Sequence, residues 1–215
     1  MRALLLSGWA LAATMLAGAS LAAPLTHAQA LAALAQPEAS TRLAGVDRLA
    51  EIGSMVDADR LVDRLHDSDP EVRESAAAAL WQIWSRSGDP AIDKLFARGL
   101  EQMQTSALGD ALATFNEIVR RKPAFAEGWN KRATVYFLLG QYDKSLKDCD
   151  EVLKRNRNHF GALSGAGHIH LEMGNLRSAL ELFRRAVEVN PDLEGPAEMI
   201  PILEQHLRGE TRNTT

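Results

Sequence analysis

Few side chains in this 215-residue chain are of types that do chemistry: six histidines, one cysteine and the carboxylates. His168 and Glu172 are four residues apart, which puts both on one face of a helix. His168 and His170, two apart, cannot share a face. A zinc site needs three or four converging ligands, and no motif adds to the His168–Glu172 pair, so neither metal nor cofactor is expected. Cys149 has no histidine at helical spacing to activate it, since His159 lies ten residues on. It reads as a small buried hydrophobe rather than a nucleophile, and as the sole cysteine it can form no intramolecular disulfide. Carboxylates are plentiful, but nothing picks one pair as general acid and base. Each glycine punctuates a helix or permits close packing, so none builds a phosphate loop. No catalytic residue is assigned. An enzyme or metal-binding protein centred on His168 and Glu172 is the rival reading, to be removed by indifference to chelators and to His168→Ala.

The formal charge is −4. A mildly acidic chain lacks the basic stripe that nucleic acid requires. The clusters Arg120-Arg121-Lys122 and Lys154-Arg155 sit 34 residues apart at the ends of equivalent helices. Cations there complement the helix dipole, so no nucleic-acid partner is expected.

The elements that carry these residues come as copies. Residues 126–159 and 160–193 align at a 34-residue offset, with Gly140 over Gly174, Leu146 over Leu180, Cys149 over Phe183 and Asn156 over Asn190. A fixed period of this length is the signature of a helical repeat array. Leu163, Ala166, Gly167, His170 and Leu171 recur at helical spacing, and Gly174 breaks the chain. Leu176, Ala179, Leu180, Phe183, Ala186 and Val187 then stripe the next helix. Asn190-Pro191 ends it, because the residue before proline is pushed out of the helical region.

Trp129, Ala133, Tyr136, Gly140 and Tyr142 in one repeat, and Leu163, Ala166, Gly167, Gly174, Ala179, Phe183, Ala186 and Pro191 in the next, resemble the tetratricopeptide repeat family. Cys149 and Arg157 depart from its pattern at single positions. Upstream, Leu95, Gly99, Ala111, Phe115 and Pro123 keep the register. That repeat lacks the inter-helix glycine, so a third repeat with an altered first turn is expected, and the array spans 88–193. The resemblance implies an all-α, right-handed α-solenoid of helix-turn-helix repeats whose first helices line a concave groove. It places Phe96, Leu100 and Met103 there from the first repeat. Glu127, Asn130, Thr134, Phe137 and Leu138 follow from the second, and Gly161, Ser164, His168, Leu171 and Glu172 from the third. Such a mixed groove suits an extended peptide or a partner helix. Some relatives grip a C-terminal carboxylate with lysine, arginine and asparagine on these helices. Here Asn130 is present, but Thr134, Ser164 and His168 offer no cation at neutral pH, so that clamp is not expected.

The remaining segments frame the array. Residues 1–22 pair one basic residue, Arg2, with an apolar run ending in small residues, the layout of a bacterial secretory signal. Ser20-Leu21-Ala22 and Ala28-Gln29-Ala30 both fit the cleavage rule, and the alternative is a retained membrane anchor. Position 19 is alanine, which disfavours a lipid anchor. An alanine-rich lead-in over 23–37 is helical or flexible. From Glu38, two stretches align at a 31-residue offset, Arg42 over Arg73, Leu49 over Leu80 and Ile52 over Ile83. Asp69-Pro70-Glu71 is a helix start, and residues 38–87 resemble HEAT-like repeats. Ser87-Gly88-Asp89-Pro90 is a turn too short for a free linker, so the first tetratricopeptide helix is expected to stack on the helix before it, with Trp81 or Trp84 in the joint. A capping helix over 194–208 and a disordered tail over 209–215 complete the chain. The reading is an exported, periplasmic scaffold that binds a protein or peptide partner, in the service of envelope assembly, with homo-oligomerisation through an exposed groove or end compatible with it.

Overall fold

The computed structural model describes residues 23–213, so the signal segment lies outside the described residues. The described residues form eleven α-helices and no strand. Four make an N-terminal module: α1 (His27–Ala33), α2 (Ala39–Ile52), α3 (Ala58–Arg64) and α4 (Pro70–Trp84). Six make the repeats, in pairs: α5 (Pro90–Gln104) with α6 (Leu108–Arg121), α7 (Ala126–Leu138) with α8 (Tyr142–Arg155), and α9 (Phe160–Glu172) with α10 (Leu176–Val189). The last is α11 (Glu194–Asn213).

Local sequence explains the starts and stops. The alanine-rich lead-in is helical over α1, whose first turn is held by a capping box between Thr26 and Gln29. Asp69 caps α4 by accepting from the amides of Glu71 and Val72, and Asp89 caps α5 in the same way, each ahead of a proline. Gly140 and Gly174 close α7 and α9 in the left-handed region, at φ 68° and 75°. In the first repeat the equivalent position is Ser106, at φ 60°. Its turn carries the same bonds: Ala107 to Gln102, as Gln141 to Tyr136 and Asn175 to His170, all 2.8 Å from amide to carbonyl. The turn is therefore not altered. The serine accepts a backbone conformation that costs roughly 1–2 kcal/mol with a Cβ.

Helix pairs approach closely at a shared register. A Cβ on Gly99 would lie 2.6 Å from Phe115, and one on Gly167 would lie 2.6 Å from Phe183. Phe115 and Phe183 fill the space those glycines leave and are fully buried. At the C-terminal end, Met199, Ile200, Leu203 and Leu207 of α11 cover Ala179, Leu180 and Phe183. The helix extends through the polar residues from Gly209 to Asn213, further than the sequence suggests, and Pro201 lies inside it. A proline there forgoes one backbone bond without ending the helix.

The joint between the two parts differs from the sequence expectation. Trp81 and Trp84 do not pack into a stack with α5. Ile92 and Phe96 of α5 belong to the core shared with α6 and α7. Gly88, at φ 72°, turns the chain at the boundary, and the N-terminal module folds back onto the third repeat. Its core of Leu49, Leu61, Leu80, Ile83 and Trp84 takes in Phe160 from α9, with Val189 and Leu193 packed against it. Arg73 pairs with Asp192 at 2.7 Å, and Asn158 donates to Asp59 at 3.3 Å, along the rim of this contact. Inside the module, Arg42 makes a bidentate pair with Asp67 at 2.7 and 2.6 Å and also donates to the carbonyls of Gln36 and Pro37.

Candidate functional site: the concave groove

On α7, Asn130, Thr134 and Phe137 recur at helical spacing. On α9, Gly161, Gly165 and His168 do the same. The two rows line a cavity of about 240 Å³, completed by Ala133, Ile169 and, from α8, Ser145 and Cys149. Polar groups in this lining are partly committed to the backbone: the Thr134 hydroxyl donates to the Asn130 carbonyl at 3.1 Å and the Ser145 hydroxyl to the Ala133 carbonyl at 2.7 Å. Neither titratable group carries charge at neutral pH. Burial lowers the pKa of His168, against the opposing effect of Glu172. Burial, with Asp148 and Asp150 alongside, pushes the Cys149 thiol up to about 12. The cavity is thus uncharged, with an amide, two hydroxyls and an imidazole set among apolar walls.

The groove residues expected from the sequence divide into two groups. Asn130, Thr134, Phe137, Gly161 and His168 line the cavity, and Leu138 and Glu172 are exposed at the far ends of the same helices. Phe96, by contrast, is buried against Phe115 and Phe125, and Leu100 and Met103 pack on that core. Ser164 is half-buried outside the cavity lining, and Leu171 packs against the α10–α11 core. Glu127 is fully buried. Helical register alone would have found Gly165, four residues after Gly161. Ser145 and Cys149 reach the cavity from the second helix of their repeat, where a core role was the natural reading.

Glu127 sits in an ionic cluster at the start of the groove. Its Oε2 lies 2.9 Å from His159 Nε2 and accepts from Asn130 Nδ2 at 3.0 Å. His159 Nδ1 accepts the Ala162 amide at 3.1 Å and so caps α9. An imidazole with its single proton on Nε2 satisfies both partners. The Lys131 ammonium lies 2.9 Å from Oε1, an ionic contact rather than an aligned hydrogen bond. Burial acts to raise the Glu127 pKa, but His159 and Lys131 outweigh it and hold the carboxyl below its usual range. The His159 ring stacks on Trp84 at 4.3 Å and meets Trp81 edge-on at 5.4 Å. Glu127 and His159 are 0% exposed, so this carboxylate–imidazole pair, which links α7 to the start of α9, is enclosed, and the module meets it through Trp84 on the His159 ring. Among the described residues, no group of three or more histidine, cysteine or acidic side chains is placed to hold a metal ion. No described helix is long and apolar enough to cross a membrane.

Tetratricopeptide repeat models match residues 126–159 and 161–193. The chain is also 32% identical over 152 residues to a TPR repeat-containing protein of Rhizobium etli, covering 70% of this chain and 74% of that one. The chain is a tetratricopeptide repeat protein. The Rhizobium match is longer than the whole stretch from Asp89 to Thr215, so the similarity reaches into the N-terminal module. Other relatives match over less of their length. Small glutamine-rich tetratricopeptide repeat-containing protein 2 of Mycosarcoma maydis is 26% identical over 102 residues, 47% of this tetratricopeptide repeat protein and 29% of the relative. DnaJ homolog subfamily C member 3 of Homo sapiens is 27% identical over 127 residues, 57% and 25%. In fold, the repeats resemble the Sgt2 TPR domain from Aspergillus fumigatus (TM-score 0.55, 19% identity, 59% of this chain and 85% of that one). They also resemble the first TPR of Spaghetti (RPAP3), bound to an HSP90 peptide (TM-score 0.53, 20% identity, 54% and 93%).

Proposed function

We propose that this tetratricopeptide repeat protein is an exported, periplasmic scaffold that binds a segment of a protein partner in the groove between α7 and α9, in the service of envelope assembly. The observation that carries the binding role is the open, uncharged cavity between Asn130, Thr134 and Phe137 on one helix and Gly161, Gly165 and His168 on the next. Its apolar walls and few oriented polar groups are the composition of a recognition site. The first TPR of Spaghetti, similar in fold, is bound to a peptide. Export rests on the sequence of residues 1–22. N-terminal sequencing of the protein recovered from the periplasm tests it: a start at Ala23 or Leu31 supports cleavage, and a start at Met1 supports a retained anchor.

The binding role is tested by one substitution. A Cβ at Gly165 meets nothing within 4 Å, and Gly165 lines the cavity, so Gly165→Leu places an apolar side chain in it. Leucine is also the better helix former by about 0.8–1 kcal/mol. A partner cross-linked by the wild type and lost by this folded variant supports the groove. One captured equally by both moves the binding surface elsewhere.

A further inference from the structure

The concave row of α9 changes character within one turn. A Cβ on Gly161 would lie 2.4 Å from the Trp81 indole, whereas one on Gly165 would lie in open space. Lys131 of α7 holds its ammonium 5.5 Å from the centre of the Trp81 ring. Trp81 therefore lies across α7 and α9 at the point where the groove would otherwise run on toward their first turns. It is held firmly there. It meets Phe160 edge-on at 5.3 Å and Trp84 edge-on at 5.3 Å, and Phe160 and Trp84 are 2% and 3% exposed. Removing Trp81 from the groove would uncover that whole aromatic cluster, so the module is a fixed wall and not a lid.

The opposite end is open. Leu138 and Met173, at the far ends of α7 and α9, are 53% and 39% exposed, and Glu172 is exposed beside them. Lys131 is engaged by Glu127 at 2.9 Å and Arg132 by Asp148 at 2.7 Å, while Lys144, which donates to Gln141 at 2.8 Å, shares the surface beside Met173. Both signs of charge, Glu172 and Lys144, therefore stand at the open end. The cavity between Phe137 and His168 has room for one aromatic or branched side chain, given that benzene occupies an apolar cavity of about 150 Å³.

We propose that Trp81 closes one end of the groove and so sets the ligand class. That ligand is a peptide segment with one large apolar anchor in the Phe137–His168 cavity, whose chain leaves only past Leu138 and Glu172. The inference rests on the groove reading above and goes beyond it in naming the direction and anchor of the ligand.

The test begins with a displayed library of random dodecapeptides selected on the purified full-length protein, with the strongest binder then synthesised and labelled. Four added residues should be tolerated at one terminus and weaken binding at least tenfold at the other, and Trp81→Ala should abolish that asymmetry. Trp81→Phe should retain binding while losing most of the ligand-induced change in tryptophan emission, a readout that stands if the alanine variant fails to fold. Equal tolerance of both extensions by the wild type overturns the proposal. Binding that Gly165→Leu leaves unchanged, or no binder at all, overturns the groove reading itself.

Discussion

Glu127 and His159 are both 0% exposed, and each leans on the other at 2.9 Å. Removing Glu127 leaves the buried Nε2–H of a neutral His159 without its acceptor, an effect of about 1–3 kcal/mol. Glu127→Ala, which strands Lys131 as well as His159, is expected to lower the urea-unfolding free energy by that amount. The pH dependence follows from the depressed carboxyl. Between its folded pKa and the ordinary value of 4.5, the unfolded chain binds the extra proton, so stability rises with pH across that window. The advantage of the wild type over Glu127→Gln should therefore be complete above about pH 4.5 and shrink as pH falls through the lower folded value. Cys149 makes a second residue-scale case. A thiol held at about 12 instead of 9.0 has about a thousandth of the ordinary thiolate fraction at pH 8, and only the thiolate reacts. Alkylation at pH 8 should be slower by about that factor in the native protein than in urea, and a native rate near the unfolded one would show that the site opens.

At the scale of the helix, most of the architecture was legible in the sequence because its causes are local. The 34-residue period, the apolar stripes and the Asp-Pro starts each report on a dozen neighbouring residues, and the helices begin and end close to where those signals lie. Ser106 marks where local reading ran out. The absence of glycine suggested a changed turn, yet the flanking helices impose the same left-handed residue. Ser106→Gly removes the Cβ strain of roughly 1–2 kcal/mol and adds backbone entropy of roughly 0.5–1 kcal/mol in the unfolded chain. A net gain of about 0.5–1 kcal/mol in thermal or urea unfolding is expected. Two glycines on α9 should respond in opposite senses. Gly165→Ala meets nothing and is expected to stabilise by about 0.5–1 kcal/mol. Gly167→Ala would sit 2.6 Å from Phe183, whose ring is fully enclosed, and should destabilise by about 1–3 kcal/mol through overpacking. Equal effects at the two positions would contradict the packing described for this repeat.

At the scale of the whole molecule, the deciding contacts join residues too far apart in sequence for any periodicity to reveal. Trp81 comes from the N-terminal module and Gly161 from the third repeat, and nothing in either stretch names the other. Glu127 illustrates the consequence. Its place on the first helix of a repeat made it a groove residue by resemblance, and only its partner His159, 32 residues on, shows it as a buried ion. The fold-back of the module onto the third repeat makes the two parts share a core. Phe160, on the array, is counted among the buried residues of the N-terminal module, together with Leu80, Ile83 and Trp84. A repeat array without such a contact unfolds by nearest-neighbour steps. Here, loss of either part exposes Phe160 or its aromatic partners, so the intact chain should unfold in one transition, with circular dichroism and tryptophan fluorescence coincident. Phe160→Ala deletes a large buried ring, which costs about 3–5 kcal/mol, and that cost falls on the contact between the parts. The variant should unfold in two steps. The part of the fluorescence from Trp81 and Trp84 would move first, and the helical signal of the remaining repeats would follow. A Phe160→Ala protein that is destabilised but still unfolds in a single coincident transition would mean that the parts are coupled through something other than this aromatic joint.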